Sequence, residues 1–247
     1  MSGEFEIVRE AELATTPQEV WDAVTTGTGG WLWPMEYEPR AGGEAPFGGA
    51  VTVWEPPHHL VTRVEGENGW FNQLENVIEA RDGGTTFVRY VHSGVFTDDW
   101  DNQYDGANQH TDFYLHTLSQ YLQHFSHRPV AWFSADAPPA SNAPDGFARL
   151  RAALGLDATS AVDDRVRLDI NGVGDVDGVI DYLTPHFVGI RTSDAMYRFF
   201  GRNAFGAPVG IAMHLFGDGS GAGDAADDTD PQQAEKAWRS WLDAVYA

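Results

Sequence analysis

The stretch from Phe5 to Trp33, FEIVREAELATTPQEVWDAVTTGTGGWLW, constrains the fold more than any other part of the chain. Its first residues alternate apolar and polar side chains, which predicts a half-buried edge strand. TTPQE then has the form of a capping box, Thr16 to Glu19, with proline at the first helical position. Val20, Trp21 and Val24 follow on one helical face. The strand leads directly into the helix, and each has an apolar face to bury. A curved sheet that closes over them would bury both faces.

Later segments predict the strands of that sheet. GGAVTVWEPPHHLVTRV begins at Gly48, and its proline pair separates two short strands. Another strand alternates from Trp70 to Ile78, and the following RDGG predicts a hairpin turn. The return strand, GGTTFVRYVHSG from Gly83, places Val88, Tyr90 and His92 on one face. An amphipathic helix ending near Phe125 then follows, with apolar positions that include Leu115, Leu118 and Leu122.

Four of these segments, in this order, resemble the START-like or SRPBCC superfamily: the opening stretch up to Trp33, GGAVTVWEPPHHLVTRV, GGTTFVRYVHSG and the helix ending near Phe125. The nearest branch is the family of activator of heat-shock-protein-90 ATPase homologues (AHSA-like), which opens with a helix similar to TTPQEVWDAVT and carries a strand similar to GGTTFVRYVHSG. The resemblance covers about the first 125 residues. It implies an α+β helix-grip fold, in which an antiparallel sheet wraps around a long C-terminal helix and leaves a cavity between them.

The second half of the chain repeats the order of strand, helix, several strands and a final helix. DGVIDYLTPHFVGIRT resembles GGAVTVWEPPHHLVTRV when one proline is skipped. The family's last helix tends to carry a Trp-x-x-x-Leu-x-x-(Leu/Val) pattern, which Trp238, Leu242 and Val245 satisfy, whereas Thr111 stands in the tryptophan position of the first half. We therefore predict two START-like domains, 1–126 and 127–247. The alternative is one START-like domain with an unrelated α+β extension.

The second domain is expected to be degenerate. We predict that it is shortened between its first strand and its sheet, has lost its cavity and supports the first domain. Its acidic, glycine-rich stretch from Asp218 to Asp230 is predicted to be a loop.

Composition excludes several classes of function. Fifteen basic residues against 37 acidic ones give a formal charge of −22, which disfavours nucleic acid and anionic membrane surfaces as partners. The chain has no cysteine, so disulfides and thiolate chemistry are excluded. No leader-like or membrane-spanning apolar run is present, which indicates a soluble, cytoplasmic protein. No nucleotide, metal or cofactor motif is complete, so no cofactor and no metal are predicted.

The predicted cavity of the first domain would be lined largely by aromatic side chains. Such rings enclose an apolar ligand, while indole N–H and phenol O–H groups fix its orientation. The alternative for each ring is that it fills an ordinary core. The expected ligand-binding residues are Trp21, Trp31, Trp33, Trp54, Trp70, Tyr90, His92, Trp100, Tyr104 and Tyr114.

Three functions follow from these observations. The leading hypothesis is non-catalytic binding of a small hydrophobic or aromatic molecule. The second is a protein-binding module, as the likeness to chaperone activators implies. The third is an enzyme resembling START-like cyclases or hydrolases, with His92 as acid–base, Tyr90 beside it and Asp98 or Asp99 as its orienting carboxylate. The sequence does not predict the oligomeric state.

The segment TDDWDNQYDGANQ, residues 97–109, is predicted to be an acidic loop. From Asp101 to Asp112 its spacing approaches that of a calcium-binding EF-hand loop. Helix capping by Asp105 explains the same residues without a metal.

Overall fold

Two antiparallel sheets of six strands each form the framework of the protein. The structure is a computed structural model that describes residues 3–97, 99–170, 174–217 and 231–247. The chain divides into two units, the first ending at Ser126 and the second beginning at His127. None of the helices within the described ranges is long and apolar enough to cross a membrane.

The first unit consists of one sheet and two helices. Its elements are β1 (Gly3–Leu13), α1 (Pro17–Val24), β2 (Glu44–Ala45), β3 (Gly49–Glu55), β4 (His59–Glu65), β5 (Phe71–Ala80), β6 (Thr86–Phe96) and α2 (Trp100–His124). The strands lie in the order β1-β6-β5-β4-β3-β2, so the first strand forms an edge, as its alternating sequence predicts. The chain between β1 and β3 carries α1 and the aromatic segment that follows it.

The capping box that opens α1 is present as predicted. The Thr16 hydroxyl accepts a hydrogen bond from the backbone N–H of Glu19 at 3.2 Å, and the Glu19 carboxylate accepts one from the backbone N–H of Thr16 at 3.1 Å. Two of the helix's otherwise unpaired donors are satisfied in this way. The helix buries its apolar face, which consists of Val20, Trp21, Ala23 and Val24.

The predicted acidic loop is a helix, which corrects the sequence-based expectation. Helix α2 begins at Trp100, and Asp105 accepts a hydrogen bond from the Gln109 amide at 3.0 Å within it. Asp105 therefore caps nothing, and the twelve residues from Asp101 cannot form a calcium loop. Asp101 and Asp105 in the first turns are exposed, and a tertiary contact holds this end of the helix: the Trp100 indole N–H donates to the carbonyl of Glu4 at 3.2 Å.

The second unit repeats this topology. Its elements are β7 (Val130–Asp136), α3 (Gly146–Ala153), β8 (Arg165–Ile170), β9 (Gly174–Leu183), β10 (Phe187–Arg191), β11 (Ala195–Phe200), β12 (Gly210–Phe216) and α4 (Pro231–Val245). The order β7-β12-β11-β10-β9-β8 corresponds strand for strand to the first sheet. The expected α+β, helix-grip-like fold in two repeated halves is confirmed.

The second unit is shorter between its first strand and its sheet, as expected, but only by two residues: 30 residues, 14–43, separate β1 from β2, and 28 residues, 137–164, separate β7 from β8. The stretch between the first helix and the sheet falls from 19 residues, 25–43, to 11 residues, 154–164. The central hairpin is also reduced, since β11 and β12 have 6 and 7 residues against 10 and 11 in β5 and β6. The predicted acidic loop from Asp218 to Asp230 lies outside the described residues.

Candidate functional site

A cavity of about 400 Å³ lies inside the first unit. Its floor is the face of β4, β5 and β6 that is turned toward α2, and α2 forms one wall. The segment between α1 and β3 forms the other wall. The floor is lined by Leu60, Thr62, Leu74, Asn76, Tyr90 and His92, with Asn72 and Arg63 beside them. The walls include Trp31, Trp33, Met35, Tyr37, Phe47, Ala107, His110, Thr111, Tyr114 and Leu115.

Half of the ten residues predicted to bind a ligand line this cavity. Trp31 and Trp33 lie in the wall that follows α1, Tyr114 lies on α2, and Tyr90 and His92 lie on the floor. The alternation of β6 predicted that the last two would share an interior face. We expected all ten side chains to line one cavity, and five of them do so.

The other five predicted residues lie elsewhere, because each has another packing partner. Trp21 is buried edge-to-face against Trp54, with ring centroids 5.0 Å apart. Trp100 stacks on Tyr104 at 4.8 Å at the start of α2. Trp70 lies in the turn before β5 with its ring against Gly66, where an added Cβ would lie 2.9 Å from Trp70 Cε3.

Sequence reasoning missed several residues of the cavity. Asn72 and Asn76 share the inward face of β5 with Leu74, so the alternation already used for that strand was a sufficient signal. Tyr37 lies in a turn-rich segment without any periodicity, and nothing in the sequence directs its ring inward. Thr111 was noticed only as a departure from the family's helix pattern.

Three titratable groups of the cavity, Tyr37, Tyr90 and His92, are held in their neutral forms. Burial raises the pKa of the Tyr37 phenol to about 12 and raises that of Tyr90 as well. Burial lowers the pKa of His92 from 6.5 to about 4, since a charged imidazole is poorly solvated there. At neutral pH the floor therefore presents uncharged hydrogen-bonding groups.

One hydrogen bond fixes the imidazole of the floor. The side-chain amide nitrogen of Asn72 donates to Nε2 of His92 at 2.9 Å. The accepting nitrogen carries no proton, so the proton of the neutral ring is on Nδ1. The ring also lies edge-on to Phe5, with centroids 5.0 Å apart.

Two tryptophans in the wall differ in their hydrogen bonding. The indole N–H of Trp31 donates to the carbonyl of Ala23 at 2.8 Å. That of Trp33 is buried and has no acceptor in the part of the chain that the structure describes. The Trp33 ring meets Tyr114 on one side and Phe47 on the other, at centroid distances of 5.9 and 6.0 Å.

Phe47 lies at the rim of the cavity, with 74% of its surface exposed. Its φ of 61° places it in the left-handed region, which is uncommon for a residue other than glycine.

Arg63 is the one charged side chain among the described residues that line the cavity. Its guanidinium is already engaged: it donates to Glu65 at 2.8 Å and to Gln73 at 3.2 Å and lies 3.9 Å from the centroid of the Phe71 ring. No carboxylate is found among those lining residues, and no group of three His, Asp or Glu suited to a metal ion was found in the described ranges. The arrangement can surround a neutral molecule and offer it a few hydrogen bonds.

The second unit also contains a cavity, of about 410 Å³, at the end where α4 begins. Its lining includes Asp175, Asp177, Asp194, Tyr197 and Trp238, and it borders Gly217 and Pro231, which flank residues outside the described ranges. The expectation that this unit has lost its cavity is therefore wrong.

Comparisons with known proteins show similarity at the level of structure only. No family model matches the chain, and no curated protein matches it. DynU16, from the dynemicin biosynthetic locus, is 12% identical, with 97% of each chain covered and a TM-score of 0.40. CalU16 from Micromonospora echinospora is 18% identical over 50% of this chain and 82% of its own, with a TM-score of 0.40. The Aha1 dimer from Colwellia psychrerythraea is 21% identical over 48% and 96%, with a TM-score of 0.38. Similarity at this level supports no conclusion about function.

Proposed function

We propose that this protein binds a small, neutral, mostly apolar molecule in the cavity of the first unit and catalyses no reaction on it. The observation that carries the proposal is the cavity itself, which combines aromatic and aliphatic walls with a floor of uncharged polar groups. Pockets that hold small ligands are usually of this kind, with a few polar groups that fix orientation.

The size of the cavity supports this function. An apolar cavity of roughly 150 Å³ is large enough to bind benzene, and the present one measures about 400 Å³. It therefore has room for a ligand of more than one ring, or for a branched chain of comparable volume.

The charges around the cavity support a neutral ligand. A buried charge without a partner costs several kcal/mol, and the one cationic lining residue, Arg63, is engaged by Glu65 and Gln73. An anionic ligand would have to displace those partners, and a cationic ligand would find no carboxylate among the described lining residues.

The geometry gives no support to the enzyme that the sequence also suggested. A histidine acting as acid–base needs a pKa near the working pH and a group that orients it. His92 has a pKa of about 4, and its partner is the Asn72 amide. Asp99 lies at the start of α2, outside the residues that line the cavity, and Asp98 lies outside the described residues.

A protein-binding role also lacks a specific observation in its favour. Among the described residues, Phe47 and Val162 are the large apolar side chains classed as exposed. Extended apolar patches of several hundred Å² mark interaction surfaces, and single exposed residues do not.

We further propose that 1–126 and 127–247 are tandem START-like domains of the AHSA-like branch. The strand-for-strand correspondence of the two sheets supports the duplication, and the motifs of the first 125 residues support the branch.

Native mass spectrometry of the purified protein tests the binding function. We expect a mass increment from a co-purified neutral compound, which denaturation releases for identification. Trp33→Ala should lower its occupancy at least about tenfold, because it removes the ring that contacts Tyr114 and Phe47. The matched control is Trp100→Ala, which removes a ring outside the cavity and should keep occupancy within about twofold. Equal loss in the two variants, or no loss in either, would contradict the proposed site.

A further inference from the structure

The two sheets can be superposed residue by residue through their strand ladders. In the first sheet Ile7, His92, Leu74 and Thr62 form one row across β1, β6, β5 and β4. In the second sheet Phe133, Met213, Tyr197 and Ile190 form the corresponding row across β7, β12, β11 and β10. The sequence similarity between GGAVTVWEPPHHLVTRV and DGVIDYLTPHFVGIRT pairs Thr62 with Ile190, and this pairing sets the register between the two rows.

The same correspondence holds for the helices. Trp238 packs on Tyr197 and Phe199, with ring centroids 5.5 and 5.9 Å away. In the first unit the residues at those two places are Leu74 and Asn76, and Thr111 lines the cavity together with them.

The next helical residue confirms the helix register. Arg239 donates to the carbonyl of Ser134 at 3.0 Å. In the first unit Asp112 binds Arg9 on β1, the strand that corresponds to β7. Thr111 is therefore the equivalent of Trp238, as the helix pattern of the sequence indicates.

Five of the six positions of the cavity floor have a larger or less polar equivalent in the second unit, and the sixth, Leu60, corresponds to Val188. Thr62, Leu74, Asn76, Tyr90 and His92 correspond to Ile190, Tyr197, Phe199, Ile211 and Met213. These five equivalents are all buried, and Trp238, with none of its surface exposed, packs on Tyr197 and Phe199. The indole of Trp238 thus lies over strand positions that are open to the cavity in the first unit, and the cavity of the second unit lies beside it.

We infer that the ligand of the first unit carries a neutral, planar, bicyclic aromatic group, which lies across Leu74 and Asn76 beside Thr111 as the Trp238 indole lies across Tyr197 and Phe199. This inference rests on the proposed binding function and names the class of its ligand. In the second unit the indole of Trp238, on the last helix, packs over this part of the sheet. In the first unit the equivalent residue is the smaller Thr111, so a ligand would have to supply the ring.

Further contacts define the surroundings of the ring. Trp238 meets Trp241 edge-to-face, with centroids 5.4 Å apart, and Tyr114 stands at the place of Trp241 in the cavity wall. The ligand ring therefore has an aromatic neighbour, Tyr114, in the cavity wall. Edge-to-face pairs of this kind contribute roughly 0.5–1.5 kcal/mol beyond burial.

Two polar side chains of the floor indicate which chemical groups one edge of the ligand ring should carry. Asn76 and Tyr90 form a cross-strand pair on the floor, where the second unit has the apolar pair Phe199 and Ile211. An amide and a phenol that face a cavity with apolar walls each favour a hydrogen-bond partner there. The ligand edge that faces them should carry a hydroxyl, N–H or carbonyl group without a net charge.

The experiment is calorimetric titration of the full chain with four probes. Indole and 2-naphthol are neutral bicyclic compounds, indole-3-acetate is a charged counterpart, and 1-octanol is a neutral aliphatic one. We expect one site per chain for the first two, with affinity at least about tenfold higher than for the other two. Thr111→Trp should abolish this binding, because it places an indole where Trp238 has its own. Gln123→Trp adds the same side chain at an exposed position of α2 and should leave binding within about twofold.

The possible outcomes separate the inference from the proposed function. If 1-octanol binds as tightly as the bicyclic probes and Thr111→Trp abolishes its binding, the bicyclic class is overturned and the binding function stands. If every probe binds Thr111→Trp as well as the wild type, both are overturned. If no bicyclic probe binds the wild type, the inference is overturned. Should Thr111→Trp fail to fold, Asn76→Phe, which copies Phe199, makes the same test.

Discussion

The side-chain amide of Asn72 donates a hydrogen bond to Nε2 of His92 at 2.9 Å, on the floor of the cavity. This bond requires an imidazole without a proton on Nε2. Burial lowers the pKa of His92 to about 4, so the ring is neutral at pH 7 and Nε2 can accept the bond. Protonation would at once remove the acceptor and place a charge among apolar walls. The state of the cavity is therefore coupled to pH below neutrality.

We predict that stability falls as pH is lowered from about 6.5 to about 4. In this range the unfolded chain takes up a proton at His92 that the folded chain does not, so the free energy of unfolding decreases. His92→Met, which copies Met213, should remove about 1 kcal/mol of this decrease, after allowance for partial solvent contact. Urea denaturation at about pH 4.5 and 7 measures it. Leu74→Met is the control, and a slope unchanged in His92→Met would contradict the prediction.

A second prediction concerns the ion pair between β1 and α2. Arg9 Nε lies 2.5 Å from Asp112 Oδ1, and Nη2 lies 3.2 Å from Oδ2. The guanidinium also donates to Asn108 at 2.8 Å. Because this forked arrangement is partly buried, Arg9→Met should lower the free energy of unfolding by about 1–2 kcal/mol.

The matched control is Arg167→Met, which removes a more exposed pair with Asp175 and should cost clearly less than Arg9→Met. Thermal denaturation of both variants in low and high salt provides the measurement. Equal effects in the two would show that the Arg9 network contributes no more than an exposed pair.

The buried ion pair of the second unit gives a third prediction. Arg198 and Asp181 form two hydrogen bonds of 3.0 Å, with 1% and 4% of their side chains exposed. Gly189 makes room for them, because a Cβ there would lie 2.2 Å from Asp181 Oδ1. Gly189→Ala should destabilise the protein by about 2–4 kcal/mol.

Gly178→Ala is the comparison for this variant. A Cβ at Gly178 would lie 2.8 Å from Ile190 Cγ2 and 3.1 Å from the backbone carbonyl oxygen of Arg191, and would displace no buried charge. We expect the smaller loss of stability there, and urea denaturation should rank the two. The reverse order would mean that the ion pair tolerates displacement.

The capping box gives a fourth prediction. Thr16→Ala removes the acceptor for the Glu19 backbone N–H and should cost about 1 kcal/mol. Thr26→Ala, past the end of α1, loses one long hydrogen bond of 3.4 Å and should cost less than about 0.5 kcal/mol. A circular-dichroism melt of each variant tests the difference, and a Thr16→Ala variant as stable as Thr26→Ala would speak against the cap.

Local features of the fold could be predicted from the sequence because their causes are local. The start of α1 depends on four consecutive residues from Thr16, and the alternation of β6 depends on side chains two apart in the chain. That alternation also placed Tyr90 and His92 on one interior face, where the structure has them. The likeness of the two hairpins β3–β4 and β9–β10 was visible for the same reason.

The start of α2 could not be predicted in this way. Its first turns are acidic and contain a glycine, and they are held by contacts with β1, such as the bond between Trp100 and Glu4. No pattern within the segment reports a partner about a hundred residues away. Local sequence therefore favoured a loop, and the tertiary contacts favoured a helix.

The sequence by itself determined the strands, the helix caps, the aromatic content and the absence of thiol chemistry. Only the tertiary structure decided which rings enclose a hollow and which fill a core. Trp21 and Trp31 are ten residues apart, yet one packs on Trp54 and the other lines the cavity. The physical reason is that a cavity is the space left between side chains of separate elements. Its shape in the first unit depends on the small Thr111 standing where the second unit has Trp238, together with the residues that face this position.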